Sequence, residues 1–490
     1  DDSYSYLQGA EMLANQLSFS RRTGEGDLNP ITNFPPGYPM ALALLRLAGG
    51  GGLANAATLN QVLFGLLLLL LGTVMWLSTR AWWAALLAPI MAVLSVSLVS
   101  QFTWAQSEPL FLVLVEASVL SLLVYLTTGR RLALAATGLA LSTAVLTRYA
   151  GIGMVAGAML VLLLDRGTPR RRRLADALTV FLFSAVPLGL FLLRNQIVAR
   201  DIANRPALAW HPPSPEAWRV GAVALLGWLS PDRWVAALGD RRVVVVAAVL
   251  VGLGTAGALW VVVRQWARVS AKPASLVLAS ILAALGLGYA GFLLATVLVV
   301  DRLVPLNDRL LSPLLLLLLQ AGVLAVAWLS TRLRSRLRWA LAALVVAFGA
   351  FNLFRQVALV RSLREDGQGY AARAWRDSPT LEYACSLPDI PIYSNDLPAI
   401  YFSCGRIART LPNARNAATG ASNPAFDEEV HDLLDSVLRQ GAVVVIVGWY
   451  GEDRLARLGA DSYLTELSPT KAFPDGIVFV RPSQPLEGGG

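Results

Sequence analysis

Ten apolar segments follow one another between residues 56 and 358 of this 490-residue chain. A transmembrane helix requires roughly 20 mainly apolar residues, and several segments reach that length. Only 15% of the residues are charged, whereas soluble proteins carry about 25%. The sequence therefore predicts a polytopic α-helical membrane protein. The expected spans are Ala56–Ser78, Trp82–Ser100, Pro109–Thr127, Leu132–Leu146, Ile152–Leu164, Ala177–Leu193, Val243–Val263, Ser275–Val300, Leu310–Leu329 and Trp339–Ala358.

Arginine-rich loops alternate along the chain with loops of mixed composition. The basic loops contain Arg80, Arg130 and Arg131, residues 166–173 (RGTPRRRR), residues 264–272 and residues 332–338 (RLRSRLR). By the positive-inside rule these loops are cytoplasmic. The net charge of +9 is then explained by membrane topology and does not predict nucleic-acid binding. The other loops and the C-terminal tail are expected outside, and we look for functional residues there.

The first 55 residues are expected to form an outer loop with juxtamembrane helices. This segment opens with two carboxylates, Asp1 and Asp2, and continues into a short helical run with Tyr6 on its apolar face. A rigid turn, Phe34–Pro39, leads into an apolar stretch too short to span a bilayer. Because the chain starts without Met at a polar residue, we expect one further span before residue 1. Residues 56–360 then form the helical bundle.

Residues 361–490 have the composition of a soluble α/β domain, which the predicted topology places outside the membrane. Strands are predicted at Ile390–Ser394, Ala442–Val447 and Gly476–Arg481, with an amphipathic helix at Glu428–Gln440. Cys385 and Cys404 form a disulfide if the compartment is oxidising, and otherwise remain two buried thiols.

Several charged residues lie at the outer ends of the expected spans. Glu108 precedes Pro109, and its simplest role is in a helix start that Ser107 caps; a site role is the alternative. Arginine in hydrocarbon usually faces a cavity or a partner, and its planar fork suits a phosphate. Interfacial snorkelling is the other interpretation. The arginines in question are Arg148, Arg194, Arg302 and Arg309.

Three glycine strings resemble a dinucleotide-binding fingerprint, at residues 151–157, 252–257 and 286–291. That fingerprint must follow a strand and open a soluble helix. These strings lie inside expected spans, so they predict close packing of membrane helices through small residues.

Five short motifs occur in an order typical of one family. They are residues 2–7 (DSYSYL), 34–39 (FPPGYP), 107–109 (SEP), 147–151 (TRYAG) and 308–313 (DRLLSP). The membrane part of the chain, about two thirds of it, thereby resembles the GT-C superfamily of membrane glycosyltransferases. The most similar branch comprises the bacterial relatives of protein O-mannosyltransferases and of the lipid A aminoarabinose transferase.

The resemblance implies a polyprenyl-phosphate sugar as donor, used at the outer face of the cell membrane. Asp2 matches the family's catalytic base, with Asp1 as the adjacent alternative, and Glu108 is expected to orient the acceptor or assist. Arg148, Arg194, Arg309 and Arg302 are expected at the donor phosphate, with orienting roles for Asp308, Tyr6 and Tyr149. No cofactor is expected. A divalent ion on Asp1, Asp2 and Glu108 is a minor alternative, and two cysteines and two histidines do not favour a Cys/His metal site.

Two other function classes stay open. A non-catalytic accessory or structural subunit on a glycosyltransferase-like scaffold would not require the acidic and basic residues to converge. A lipid flippase or transporter would require ionisable residues in mid-span and internal repeats, and the sequence offers only Glu116 and no convincing repeat. The sequence does not identify the sugar or the acceptor, which is a protein, a lipid or an envelope glycan.

Overall fold

The structure, a computed structural model, divides the chain into two compact units. We call residues 32–360 the helical unit, and residues 1–31 with 361–490 the α/β unit. The structure describes residues 2–24, 26–50, 52–200, 210, 212, 214–230, 232–266, 273–300, 304–415, 422–448, 461–464 and 467–480.

Fourteen helices make up the described part of the helical unit. They are α2 (Gly37–Leu47), α3 (Gly52–Thr79), α4 (Trp82–Leu94), α5 (Val96–Gln101), α6 (Glu108–Thr128), α7 (Arg131–Thr147), α8 (Gly151–Leu164), α9 (Arg170–Ala199), α10 (Pro215–Gly227), α11 (Asp232–Leu238), α12 (Asp240–Trp266), α13 (Ala274–Ala295, continued by a π-helical turn Thr296–Val300), α14 (Asp308–Arg332) and α15 (Ser335–Glu365).

Seven of these helices are long and apolar enough to cross a membrane, which confirms a multi-pass membrane protein. They are α3, α6, α9, α12, α13, α14 and α15, and three shorter apolar helices, α4, α7 and α8, accompany them. Each predicted span coincides with one of these ten. The span predicted at Trp82–Ser100 is broken, because Ser95 ends α4 and its hydroxyl accepts a hydrogen bond from the amide of Leu98 in α5.

Small residues let α8 and α13 approach to backbone contact, as two of the glycine strings predicted. A Cβ built on Gly288 falls 2.3 Å from the carbonyl oxygen of Gly153, and one on Gly157 falls 2.5 Å from that of Ala284. Van der Waals packing of this kind holds membrane helices together. The third string is different: among the described atoms, a Cβ on Gly254 meets nothing within 4 Å.

A five-stranded mixed sheet forms the core of the α/β unit, in the order β4-β3-β5-β7-β6. Strand β3 is parallel to β4 and β5, whereas β5, β7 and β6 are antiparallel in turn. Valines 443–445 are all buried, as a central strand with both faces covered requires. The strands are β3 (Ile392–Ser394), β4 (Arg409–Thr410), β5 (Val443–Val447), β6 (Ser468–Phe473) and β7 (Gly476–Val480), and the helices are α16 (Arg373–Arg376), α17 (Pro379–Ser386), α18 (Leu397–Cys404), α19 (Phe426–Gln440) and α20 (Asp461–Leu464).

The N-terminal segment belongs to the same unit as the C-terminal sheet. It consists of α1 (Asp2–Gln16) and a hairpin of β1 (Ser20–Arg22) and β2 (Leu28–Pro30). The segment predicted at 1–55 is therefore divided between the two units, and the helical unit ends at Val360. Cys385 and Cys404 are joined by a disulfide between α17 and α18.

Candidate active site

Three charged residues meet where α6 and α14 begin and α7 ends. Glu108 is the first residue of α6, Arg148 follows the last residue of α7, and Arg309 is the second residue of α14. Since α6 and α7 are joined by a short turn through Gly129, the start of one lies beside the end of the other. The structure thus brings together three of the residues that the sequence singled out.

The guanidinium groups of Arg148 and Arg309 both donate a hydrogen bond to the same oxygen of the buried Glu108 carboxylate. Nη1 of Arg148 and Nε of Arg309 donate to Oε1 of Glu108, whose side chain is 2% exposed. Oε2 of Glu108 is buried and has no hydrogen-bond partner among the described residues. A buried carboxylate oxygen without a partner is costly in free energy, and such an atom indicates a ligand contact or a bound water.

Glu108, Arg148 and Arg309 together carry one formal positive charge, since two arginines meet at one glutamate. The Arg148 side chain is 15% exposed and that of Arg309 is 27% exposed. Charges shielded from water in this way are screened little by salt. The arrangement is suited to an anion that accepts hydrogen bonds from guanidinium groups, such as a phosphate.

Ser107 does not act as the predicted helix cap. It occupies the N-cap position of α6, but its side chain makes no capping hydrogen bond. Instead, its hydroxyl oxygen accepts a hydrogen bond of 3.0 Å from Nη1 of Arg148. We refer to Ser107, Glu108, Arg148 and Arg309 as the Glu108 cluster.

Arg194 and Tyr149 belong to a neighbouring group around the carbonyl of Thr32. Nη1 of Arg194 donates to Oδ1 of Asn195 at 3.0 Å. Nδ2 of Asn195 and the hydroxyl of Tyr149 each donate a long hydrogen bond of 3.4 Å to the Thr32 carbonyl. Sequence reasoning missed Asn195, because a single asparagine inside an apolar helix carries no motif.

The residues around Arg309 are ordered by partners that also lay outside the sequence prediction. Oδ1 of Asp308 accepts a hydrogen bond from the indole of Trp228 at 2.8 Å. Asn307 caps α14, since its side-chain oxygen accepts from the amide of Leu310, and the hydroxyl of Tyr289 donates to the Leu310 carbonyl at 2.8 Å. These contacts hold the first turn of α14 and therefore the backbone of Arg309.

The predicted base lies in the other unit. Asp2 is the first residue of α1 and Tyr6 is buried in the same helix, so both belong to the α/β unit. Asp1 and Arg302 lie outside the described residues. Within the described ranges, no three His, Cys, Asp or Glu side chains gather as ligands of a metal ion would.

No protein-family model matches the chain, and no curated protein matches it in sequence. Solved structures do match it. The apo structure of ArnT from Cupriavidus metallidurans superposes with a TM-score of 0.54 at 14% identity, over 98% of this chain and 93% of that one. ArnT bound to undecaprenyl phosphate gives a TM-score of 0.51 at 14% identity, over 99% and 94% of the two chains.

A third match is the Archaeoglobus fulgidus oligosaccharyltransferase in complex with Zn and sulfate. Its TM-score is 0.52 at 16% identity, and the match covers 91% of this chain but only 64% of the archaeal one. Likeness at such low identity establishes the fold. The order of the five motifs predicted a GT-C fold, and the superpositions on ArnT and on the archaeal oligosaccharyltransferase confirm the predicted fold.

Proposed function

We propose that this protein is a membrane glycosyltransferase that moves a sugar from a polyprenyl-phosphate carrier to an acceptor at the outer face of the membrane. The observation that carries the proposal is the Glu108 cluster, in which the largely buried Arg148 and Arg309 both contact one buried carboxylate. A fold neighbour, ArnT, is bound to undecaprenyl phosphate, which supports the same class of donor here.

In this proposal Arg148 and Arg309 bind the donor phosphate. A lipid-linked donor would place its phosphate at the membrane surface, and helix ends are the part of a bundle that reaches that surface. The guanidinium groups stabilise the negative charge that grows on the phosphate as the sugar leaves. Oε2 of Glu108 offers an acceptor for a hydroxyl or ammonium proton of the substrate.

The reaction needs one base and no general acid. An acceptor oxygen or nitrogen attacks the anomeric carbon, the bond from that carbon to the phosphate oxygen breaks, and its electron pair stays on the phosphate. The acceptor proton goes to a carboxylate. We assign this role to Asp2, on the resemblance of residues 2–7 to the family's first outer loop, with Asp1 as the adjacent alternative.

The test is a transfer assay with full-length protein and a small panel of radiolabelled polyprenyl-phosphate sugars, using total membranes as acceptor. We expect transfer with one donor, and a loss of about 10²- to 10⁴-fold in Asp2→Asn, which keeps the shape of the side chain but cannot take the proton. The matched control is Arg219→Gln, which removes an exposed ion pair with Glu216 on α10.

Equal transfer by wild type and Asp2→Asn would move the base to another carboxylate, with Asp1→Asn and Glu108→Gln as the next variants. No transfer from any donor, with protein shown to be folded, would instead favour a non-catalytic accessory subunit. That alternative has no need for Glu108, Arg148 and Arg309 to converge, and their convergence is our reason for placing the enzyme first.

A further inference from the structure

Within the α/β unit, α1 contacts α18, which is far from it in the sequence. The hydroxyl of Tyr401, on α18, donates a hydrogen bond of 3.2 Å to Oε2 of Glu11, on α1. The Tyr401 ring also meets the ring of Tyr4 edge to face, with 5.3 Å between centroids. Edge-to-face pairs of this kind contribute beyond the area they bury. Tyr4 lies only two residues after Asp2 on the same helix.

A second contact fixes the hairpin that follows α1. Nε of Arg409, on β4, donates to the carbonyl of Gly24 at 3.3 Å. The fit is close, because a Cβ built on Gly24 falls 2.4 Å from Cγ of Arg409 and 2.9 Å from its backbone nitrogen. A side chain at residue 24 would therefore push the hairpin away from β4.

The hairpin and α1 form one packed piece. A Cβ on Gly9 of α1 would fall 3.0 Å from both Ile31 and Phe19, and both of these side chains are buried. Displacing the hairpin from β4 must therefore disturb α1 as well.

The C-terminal partners are themselves held rigidly. Nη1 of Arg409 also donates to the hydroxyl of Tyr393 at 3.0 Å and to Ser436 at 3.2 Å, so its guanidinium is anchored to the core of the sheet. The ring of Tyr401 continues into a row of aromatic rings through Phe402, Tyr370 and Trp375, with 5.1 to 5.3 Å between successive centroids.

We propose that Tyr401 and Arg409 are positioning residues for Asp2: the C-terminal domain holds the helix that carries the base. This inference rests on the proposed function, since it gives Tyr401 and Arg409 a role in catalysis only if Asp2 is the base. In that case the transfer rate depends on residues of the C-terminal domain through their contacts with α1 and the hairpin.

The experiment measures backbone hydrogen exchange of residues 2–16 in the full-length protein, together with kcat and the donor KM. Gly24→Ala is the main variant, because its Cβ meets the backbone of β4 while its own φ lies outside the left-handed range. We expect exchange of the α1 amides to rise about tenfold or more. We expect kcat to fall about tenfold and the donor KM to change less than about twofold, since donor phosphate binding lies in the other unit.

Tyr401→Phe is the milder variant, and it keeps the ring while removing the hydroxyl. Loss of one hydrogen bond predicts roughly a fivefold rise in exchange. Glu11→Ala combined with Tyr401→Phe should be no worse than the poorer single variant, because each change removes the hydrogen bond between these two side chains. The matched control is Thr380→Val, which removes a hydroxyl that donates to Asp475 at 2.6 Å in the same unit. Its α1 exchange and kcat should stay at wild-type values.

Unchanged α1 exchange in both Gly24→Ala and Tyr401→Phe would overturn the inference, as would a kcat equal to that of Thr380→Val. Failure of the proposed function looks different: Asp2→Asn would then keep its activity, whatever the exchange of α1 shows.

Discussion

Glu108 and Asp176 are both buried carboxylates of the helical unit, and they differ in the partners of their two oxygens. Glu108 begins α6, and Asp176, in α9, accepts from the hydroxyl of Tyr125 near the end of α6. Seventeen residues of α6 separate the two levels, about 25 Å at the α-helical rise. Each carboxylate is 2% exposed, and each has two arginines beside it.

Asp176 and Glu108 differ in how many of their carboxylate oxygens have partners. Asp176 engages both: Oδ1 accepts from Arg131, and Oδ2 accepts from Tyr125 and lies 4.0 Å from Arg172. Glu108 receives both of its arginines on Oε1, and its Oε2 has no partner among the described residues. A carboxylate with both oxygens engaged ties helices together, whereas Oε2 of Glu108 can still accept a hydrogen bond.

The arginines beside the two carboxylates differ in how far their side chains are exposed to solvent. The side chains of Arg131 and Arg172 are 59% and 42% exposed, so water and salt screen their charge. Arg148 and Arg309 are exposed to only 15% and 27%. The residues around Asp176 thus join α6, α7 and α9, whereas in our proposal the Glu108 cluster receives an anion.

The largest expected effect is a difference in transfer activity between a variant at Glu108 and a variant at Asp176. Arg148→Met should lower kcat for transfer by about 10²- to 10³-fold, since it removes a donor that stabilises the charge on the leaving phosphate. Arg131→Met, the matched change at Asp176, should keep kcat within about twofold, because Arg131 is 59% exposed and has no part in the proposed donor site. Both rates come from the transfer assay with the accepted donor.

Binding of undecaprenyl phosphate to the same two variants provides the control for this prediction. Arg148→Met should lose affinity and Arg131→Met should keep it. If both variants lose activity equally, the distinction between a structural and a functional end is wrong, and the two clusters support the bundle in the same way.

A second, smaller effect concerns stability. Glu108→Gln removes the negative charge between two largely buried arginines, so we expect a loss of roughly 3 kcal/mol in the free energy of unfolding. Asp176→Asn should cost only about 1 kcal/mol, since Arg131 and Arg172 can turn their charges to water. Thermal unfolding in one detergent measures both. If Asp176→Asn lost more free energy of unfolding than Glu108→Gln, the solvent exposure of the neighbouring arginines would not determine the size of the destabilisation.

The sequence predicted the helices well, because long apolar runs can satisfy their backbone in lipid only by forming helices. It predicted the boundary at residue 361 from composition, and strands β3, β5 and β7 from their apolar runs. It missed β6, whose Ser468–Phe473 stretch has no apolar pattern. It also missed the break at Ser95, where a polar residue inside an apolar run gave too weak a signal to divide one predicted span.

For the candidate site, the sequence singled out Glu108, Arg148 and Arg309 but did not show how they pair. Arg148 and Arg309 stood out in the sequence because both are arginines at the ends of apolar spans. Both arginines donate to the same oxygen of Glu108 because α6, α7 and α14 pack together. The spacing of residues along the sequence does not reveal that packing. The contact of α1 with α18 was missed for the same reason, since Glu11 and Tyr401 are 390 residues apart.

The smallest expected effect concerns two hydroxyl groups, that of Ser107 near Glu108 and that of Tyr125 near Asp176. Ser107→Ala removes the acceptor that Arg148 uses at 3.0 Å, so the guanidinium should be held less firmly and the donor KM should rise about threefold to fivefold. Tyr125→Phe removes the hydroxyl that donates to Asp176, and it should lower the free energy of unfolding by about 1 kcal/mol with KM unchanged. Steady-state kinetics and thermal unfolding of both variants give the four values needed. A change of KM in Tyr125→Phe, or a change of stability alone in Ser107→Ala, would show that satisfaction of the carboxylate oxygens does not separate a binding cluster from a structural one.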